Sequence, residues 1–224
     1  MQVIIAGTGK LATELRHALS KDATFQIQSW AELSNKTDKA IVVHAGSGRE
    51  LEAIAAFCAA THSPLIELAT GSQIEAMPLT FPVVLCPNTN ILMLKFMAML
   101  ERCGPLFRTY DVKVLESHQA SKTSVPGTAV NIAHSLGVGS SEIESVRDVG
   151  IQRTLTGFAD ADLARHAFHQ IRIEDGSCSV LLETRVCGDA PYAKGVEQIV
   201  AAVMAHELQD RCYNVMEFVH NGWI

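Results

Sequence analysis

Gln2–Leu19, QVIIAGTGKLATELRHAL, sets a short apolar run against a glycine turn and then a helical repeat. Gln2–Ala6 is apolar and β-branched and is closed by glycine, the pattern of a strand buried on both faces of a parallel sheet. Leu11, Leu15 and Leu19 then recur at helical spacing. Between strand and helix, Gly7-Thr8-Gly9-Lys10-Leu11-Ala12 is a GxGxxA turn in the setting that a dinucleotide fingerprint requires. Gly7 permits the tight turn, Gly9 lets a pyrophosphate approach the backbone, and Ala12 lets the helix pack closely on the strand. A dinucleotide is therefore expected on Gly7, Thr8, Gly9, Lys10 and Leu11.

Outward from this stretch, strands alternate with helices. Phe25–Ser29 is the second strand; Lys39–Val43 leads into His44-Ala45-Gly46-Ser47-Gly48 and a helix over Glu50–Thr61. Pro64–Ala69 runs into Thr70-Gly71, and Phe81–Cys86 into Pro87-Asn88-Thr89-Asn90 ahead of a helix over Ile91–Arg102. The alternation predicts a doubly wound parallel sheet of Rossmann type. Its strand ends carry Gly7, His44, Thr70 and Asn88, and such sheets bind ligands at that carboxyl edge. His44 has two readings, a neighbour of the nicotinamide or a structural histidine at a strand end. After the second strand come Gln28, Ser29 and Trp30, with no carboxylate before Glu32 to accept from a ribose hydroxyl. With Lys10 nearby, this favours NADPH or mixed use over strict NADH.

Composition narrows the class. The chain has 224 residues, 48% of them hydrophobic, enough for one large core or two modest ones. A net charge of -6 argues against nucleic acid or an anionic membrane as partner. The cysteines, at 58, 86, 103, 178, 187 and 212, form no CxxC pair, sit mostly in apolar runs and read as reduced thiols. No cationic leader precedes the first strand and no apolar run approaches the roughly 20 residues of a membrane span. A cytoplasmic protein with a small-molecule partner is expected. His166 and His169 are three apart but lack Cys or carboxylate partners at ligand spacing, so no metal site is expected.

The stretch richest in chemistry is Glu116–Ala129, ESHQASKTSVPGTA. Residues 111–117 alternate as a half-buried strand does, and a helix opens at Gly127–Thr128 after Pro126. His118 and Lys122 therefore sit at a strand end and on its following loop, before a helix N-terminus suited to a carboxylate or phosphate. This stretch resembles the signature of the dihydrodipicolinate reductase family, Glu-x-His-His-x-x-Lys-x-Asp-Ala-Pro-Ser-Gly-Thr-Ala. Glu116, His118, Lys122, Pro126, Gly127, Thr128 and Ala129 match. Gln119 replaces the second histidine, Ser124 the aspartate and Val125 the alanine, and the loop before Gly127 is one residue shorter.

The resemblance extends along the chain. Lys10 stands where the family has an arginine near the cofactor phosphates. Thr70-Gly71 is similar to the end of its Gly-Thr-Thr-Gly, and Cys86-Pro87-Asn88-Thr89 to its Ala-Pro-Asn-Phe-Ser. Tyr192-Ala193-Lys194-Gly195, within Asp189–Val196, resembles the aromatic-Ala-x-Gly element that opens the family's last helix, here Val196–Leu208. The resemblance implies a NADPH- or NADH-dependent reductase of a cyclic carboxylated imine in lysine and diaminopimelate synthesis. It implies His118 as general acid and Lys122 as second cation. Gln119, Lys122, Gly127 and Thr128 would bind substrate, and Thr70, Gly71, Pro87, Asn88 and Thr89 the cofactor. It also implies a homotetramer assembled through substrate-domain sheets. Two other readings stay open: the same fold reducing a different carboxylated imine or carbonyl, and a nucleotide-binding regulatory module without turnover. A dehydrogenase using a Tyr-x-x-x-Lys pair is not supported, since no such pair occurs.

The expected organisation is a nucleotide domain over 1–108 with a return over 192–224, and a substrate domain over 109–191. The latter reads as an α+β unit with an open mixed or antiparallel sheet. Its strands are expected at Ser145–Gly150, Ile151–Gly157, His166–Glu174 and Ser179–Cys187, with a short helix or turn at Asp160–Ala167.

Overall fold

A computed structural model describes residues 1–33, 37–188 and 191–224. Asp189 and Ala190, at the head of the segment expected to open the last helix, lie outside the described residues. The chain divides into two compact units, residues 1–91 with 192–224, and residues 92–191. In chain order the first unit supplies β1 (Gln2–Ala6), α1 (Lys10–Leu19), β2 (Gln26–Ser29), β3 (Ile41–His44), α2 (Leu51–Thr61), β4 (Leu65–Glu67) and β5 (Val83–Leu85). Helix α3 (Ile91–Cys103) leads into β6 (Asp111–His118), α4 (Gly127–Leu136), β7 (Glu144–Val146), α5 (Val149–Thr156), α6 (Asp160–Leu163), β8 (Ala167–Glu174) and β9 (Ser179–Val186). The first unit is then completed by α7 (Ala193–Ala205), β10 (Cys212–Asn214) and α8 (Val215–His220).

The first unit is built on a parallel sheet of order β10-β5-β4-β3-β1-β2. The chain steps from β1 to β2 on one side and then crosses to β3 on the other, so the order reverses between β1 and β3. That reversal is the switch point at which doubly wound sheets open a ligand crevice. Val3, Ile4, Ile5, Val42 and Val43 are fully buried, as strands covered on both faces require. Trp30, just past β2, meets Phe57 of α2 edge-on at 5.6 Å.

The return of the chain is seated by one glycine. A Cβ on Gly195 would lie 1.5 Å from the Thr89 carbonyl oxygen, and the Thr89 hydroxyl donates to the Tyr192 carbonyl at 3.3 Å. Helix α7 thus rests directly on the loop after β5. Beyond it, β10 pairs with β5 at Cys212↔Val83 to Asn214↔Leu85.

The second unit has a mixed sheet of order β7-β6-β8-β9, with β6 and β7 parallel and the other pairs antiparallel. Ala129, Ile132, Ala133 and Leu136 of α4 pack with Val114, Ile171, Ile173 and Leu100. One expectation is corrected here. Residues 151–157 form most of α5 and not a strand, and only Glu144–Val146 of the preceding segment is extended. The Asp148 carboxylate caps the helix by accepting from the Ile151 N–H at 2.9 Å, and Gly157 closes it in the left-handed region. Gln152 and Thr156, four apart, are the buried face. Because that face is polar, hydrophobic periodicity does not reveal the helix. Among the described residues, no helix is long and apolar enough to cross a membrane.

The seat of α7 makes a testable demand. Gly195→Ala is expected to destabilise the first unit by about 1–3 kcal/mol, since backbone must shift to admit the methyl. Urea unfolding of the variant should show a lower midpoint; an unchanged midpoint would mean that α7 is not seated this closely.

Candidate functional site

In the first unit, the turn after β1 is shaped by what surrounds it. Gly7 has φ +121°, and a Cβ there would meet the Ala45 carbonyl oxygen at 2.5 Å, so the turn pairs with the strand end of β3 only as glycine. Gly9 begins α1 in extended conformation, with open space where its Cβ would lie. Thr8, Gly9 and Lys10 are exposed and Leu11 is half-buried. Arg16, which the sequence reading does not single out, donates from Nη1 to the Gly7 carbonyl at 3.1 Å. The turn offers an open backbone beside a helix N-terminus, which suits a pyrophosphate.

The other strand ends differ in what they present. Thr70, Gly71 and Pro87 are exposed, and Asn88 is half-buried with its side chain accepting from the Asn90 N–H at 2.9 Å. Thr89 is buried, its hydroxyl donating to the Tyr192 carbonyl ahead of α7. His44 is fully enclosed, so the structure favours its structural reading. Its Nδ1 lies 2.8 Å from a carboxylate oxygen of Glu67, its register partner on β4, and Gly46 roofs the ring. Glu67 in turn accepts from the Ala69 N–H at 2.9 Å and the Ser72 hydroxyl at 3.0 Å. Exposed Glu32 is the first carboxylate after β2.

The second unit assembles a cluster on β6 and its neighbours. Glu116 and His118 are two apart on a strand and therefore share a face. Glu116 is fully buried, and its Oε2 lies 2.7 Å from His118 Nδ1. Arg147, just beyond β7, clasps the same carboxylate through Nη2 at 2.6 Å and Nη1 at 3.1 Å. Its Nε donates to the Lys122 carbonyl at 2.9 Å. Gln152 of α5 donates from Nε2 to the His118 carbonyl at 2.7 Å and to that of Val146 at 2.9 Å. Two more imidazoles border His118. His169 stands opposite Glu116 in the β6–β8 register, its ring 5.5 Å from that of His118, and His166 lies 6.5 Å away, stacked.

The electrostatics assign protonation states. Burial pushes the Glu116 carboxyl up, but hydrogen bonds from His118, Arg147 and Ser145 outweigh it and hold it at about 2. The carboxylate is therefore ionised at neutral pH, and His118 donates from Nδ1 to it. Burial pushes His169 down to about 4 and His166 below its ordinary value, so both are neutral near pH 7. His166 sits between the Leu163 carbonyl, 3.0 Å from Nδ1, and the Ser117 hydroxyl, 2.8 Å from Nε2. His169 Nδ1 lies 2.9 Å from the Thr184 hydroxyl, and its buried Nε2 has no partner among the described residues.

The His118 imidazole and the backbone carbonyl of Lys122 are joined in one network through Glu116 and Arg147. Gln119 is half-buried, and its carbonyl accepts from the Lys122 N–H at 2.9 Å, closing a turn. Gly127 and Thr128 start α4, as the sequence suggests. Sequence reasoning misses Arg147, Gln152, Ser117 and the roles of His166 and His169, though the histidine spacing is visible. Among the described residues, no His, Cys, Asp or Glu group is placed to hold a metal.

Two of these protonation states bear on stability with the same sign. The folded forms of Glu116 and His169 both bind protons more weakly than the unfolded chain does, so stability is present at neutral pH and falls with acid. Loss is expected from about pH 6.5 to 4 through His169, and from about 4.5 to 2 through Glu116. Urea midpoints measured across that range should decline, and His169→Gln should flatten the upper part. A flat wild-type profile between pH 6.5 and 4 would contradict the His169 assignment.

Comparison with known proteins adds to this geometry. No family model matches the chain. It is 30% identical over 155 residues to the probable 4-hydroxy-tetrahydrodipicolinate reductase 1, chloroplastic, of Oryza sativa subsp. japonica, covering 62% of this chain and 45% of the relative. It is 29% identical over 153 residues to 4-hydroxy-tetrahydrodipicolinate reductase 2, chloroplastic, of Arabidopsis thaliana, covering 62% of this chain and 44% of the relative. The matched chain thus spans less than half the length of these plant relatives. Among solved structures, a dipicolinate-bound dihydrodipicolinate reductase from Paenisporosarcina sp. TG-14 superposes with TM-score 0.66 at 15% identity, over 96% of this chain and 97% of the other. A diaminopimelate dehydrogenase of C. glutamicum superposes with TM-score 0.53 at 9% identity, over 97% and 93% of the chains. These two likenesses show a shared fold. Over 62% of its length the chain is similar in sequence to 4-hydroxy-tetrahydrodipicolinate reductases, and its Glu116–Ala129 stretch lies close to their signature.

Proposed function

We propose that the chain is a nicotinamide-dinucleotide-dependent reductase of a cyclic, carboxylated imine. The substrate we assign is 4-hydroxy-tetrahydrodipicolinate, reduced to tetrahydrodipicolinate in lysine and diaminopimelate synthesis. The observation that carries this reading is His118 at a strand end, its Nδ1 tied to an ionised, buried Glu116, with Lys122 and the α4 N-terminus following on the same segment.

A dinucleotide fits the first unit, because the turn leaves open space over Gly9 where a side chain would intrude. Thr8, Gly9, Lys10 and Leu11 would hold it, with Thr70, Gly71, Pro87 and Asn88 at the neighbouring strand ends. We favour NADPH over NADH, since no acid lies at the end of β2 and exposed Lys10 can meet an extra phosphate. When bound, the cofactor supplies the hydride.

The residues of the second unit have three tasks. His118 donates the proton from Nε2 to the developing carbanion or amide nitrogen, a role worth ~10²–10⁴ in rate. Lys122 holds a substrate carboxylate or shares proton delivery. The Gly127 N–H and the Thr128 N–H and hydroxyl grip the other carboxylate at the start of α4. Gln119 can donate to substrate but carries no charge, and the loop is short. These departures favour a second reading, the same scaffold acting on another carboxylated imine or carbonyl.

The test is NADPH and NADH oxidation with the substrate generated in situ. Turnover should occur, and His118→Ala and Lys122→Ala should each lower kcat/KM by ~100-fold or more. Cofactor binding without turnover would move the assignment to another imine. Failure to bind either cofactor would remove the reductase reading. We also propose assembly through the second-unit sheet, whose outer strand β9 leaves Val180 and Leu181 40% and 56% exposed. Light scattering at micromolar concentration should report a tetramer; a monomer would overturn this.

A further inference from the structure

One guanidinium joins both ends of the proposed proton-delivery segment. Arg147 Nη1 and Nη2 reach the two oxygens of Glu116, and Nε reaches the carbonyl of Lys122. Glu116 Oε2 also takes His118 Nδ1. A continuous path therefore runs from the Lys122 backbone, through one side chain and one carboxylate, to the imidazole. The planar fork matters, because it delivers two parallel donors to the carboxylate and a third in another direction.

We propose that Arg147 is a positioning residue for the reaction assigned above: it offsets the negative charge that Glu116 turns on His118, and it pins the loop carbonyl from which Lys122 extends. The inference rests on the reading of His118 as proton donor and goes beyond it by naming what governs that donor.

The groups around His118 leave Arg147 a defined share of its electrostatics. From β8, His169 faces it, and His166 faces it from the turn before β8; both are neutral near pH 7 because burial disfavours their charged forms. From α5, Gln152 contributes an uncharged amide that bonds the His118 carbonyl. From its own strand comes the Glu116 carboxylate, which also takes a hydrogen bond from Ser145 of β7. With the guanidinium in place, that carboxylate is already paired and attracts a proton onto His118 only in part. Without it, a buried carboxylate left with only the neutral Ser145 bond would face the imidazole and favour its charged form.

The experiment separates charge from placement. Ring resonances of labelled histidines are followed against pH by NMR, with His118 identified by its absence in His118→Asn. In Arg147→Met the His118 midpoint should rise by about one pH unit, and in Glu116→Gln it should fall by a similar amount. Arg147→Lys keeps a cation but loses the fork. Its His118 midpoint should stay within a few tenths of a unit, while KM for the dicarboxylate rises about 10-fold with kcat largely kept. If Arg147→Met does not fold, the KM-against-kcat split in Arg147→Lys carries the test. An unmoved His118 midpoint in folded Arg147→Met, or an unmoved KM in Arg147→Lys, would overturn the proposal. The NMR arm needs no turnover, so an enzyme inactive on the assigned substrate sinks that reaction while the titration still judges Arg147.

Discussion

A carboxylate buried in a sheet has to be matched by a cation or give up its charge, and Glu116 is matched by Arg147. Much of the second unit follows from this pair. Arg147 must leave β7 at the point where that strand ends beside β6, which the parallel pairing of Leu115–Ser117 with Glu144–Val146 provides. Helix α5 then starts at once, capped by Asp148, and sends Gln152 back to the carbonyls of His118 and Val146. Truncating either member of such a pair leaves a buried charge and costs about 3–5 kcal/mol. The network is thus both a fold determinant and the frame for His118.

The first unit depends on a different constraint, the close approach of backbones. Gly7 lets the β1 turn lie against the Ala45 carbonyl, and Gly195 lets α7 lie against the Thr89 carbonyl. One contact shapes the crevice at the switch point, and the other steadies the loop after β5 from the far end of the chain. Both are matters of missing atoms, not of added attraction. His44 and Glu67 show the opposite device, a polar pair sealed inside the sheet edge, with two further donors on the carboxylate.

What the sequence makes legible follows from the range of the interactions. The β1–α1 turn, the alternation of strands and helices and the α4 start are local, and periodicity with glycine chemistry reveals them. The polar buried face of α5 defeats the same reasoning, because Gln152 and Thr156 are held inside by hydrogen bonds and not by apolar burial. The rest of the site is long-range. Arg147 meets Glu116 across 31 residues and Ser117 meets His166 across 49. Nothing in a window of sequence announces such a partner. His44 is a milder case, since its strand-end position is visible but its enclosure by Glu67 and Gly46 is a property of the folded sheet.

The matched residues of Glu116–Ala129 do not all bear equally on chemistry. Glu116 has a folding reason to be present, since Arg147 would otherwise be left beside an empty acceptor position in a buried strand. Its presence is therefore weak support for turnover by itself. Pro126 and Ala129 are buried at the start of α4 and serve packing as well. His118 and Lys122 are different, because both are only partly buried, and Arg147 already gives Glu116 a bidentate cation. An imidazole oriented by a carboxylate and a lysine pinned by its carbonyl have more order than packing needs. The order thus lies in the His118 imidazole and in the backbone at Lys122, and it is this arrangement that the proposed reading of the segment rests on.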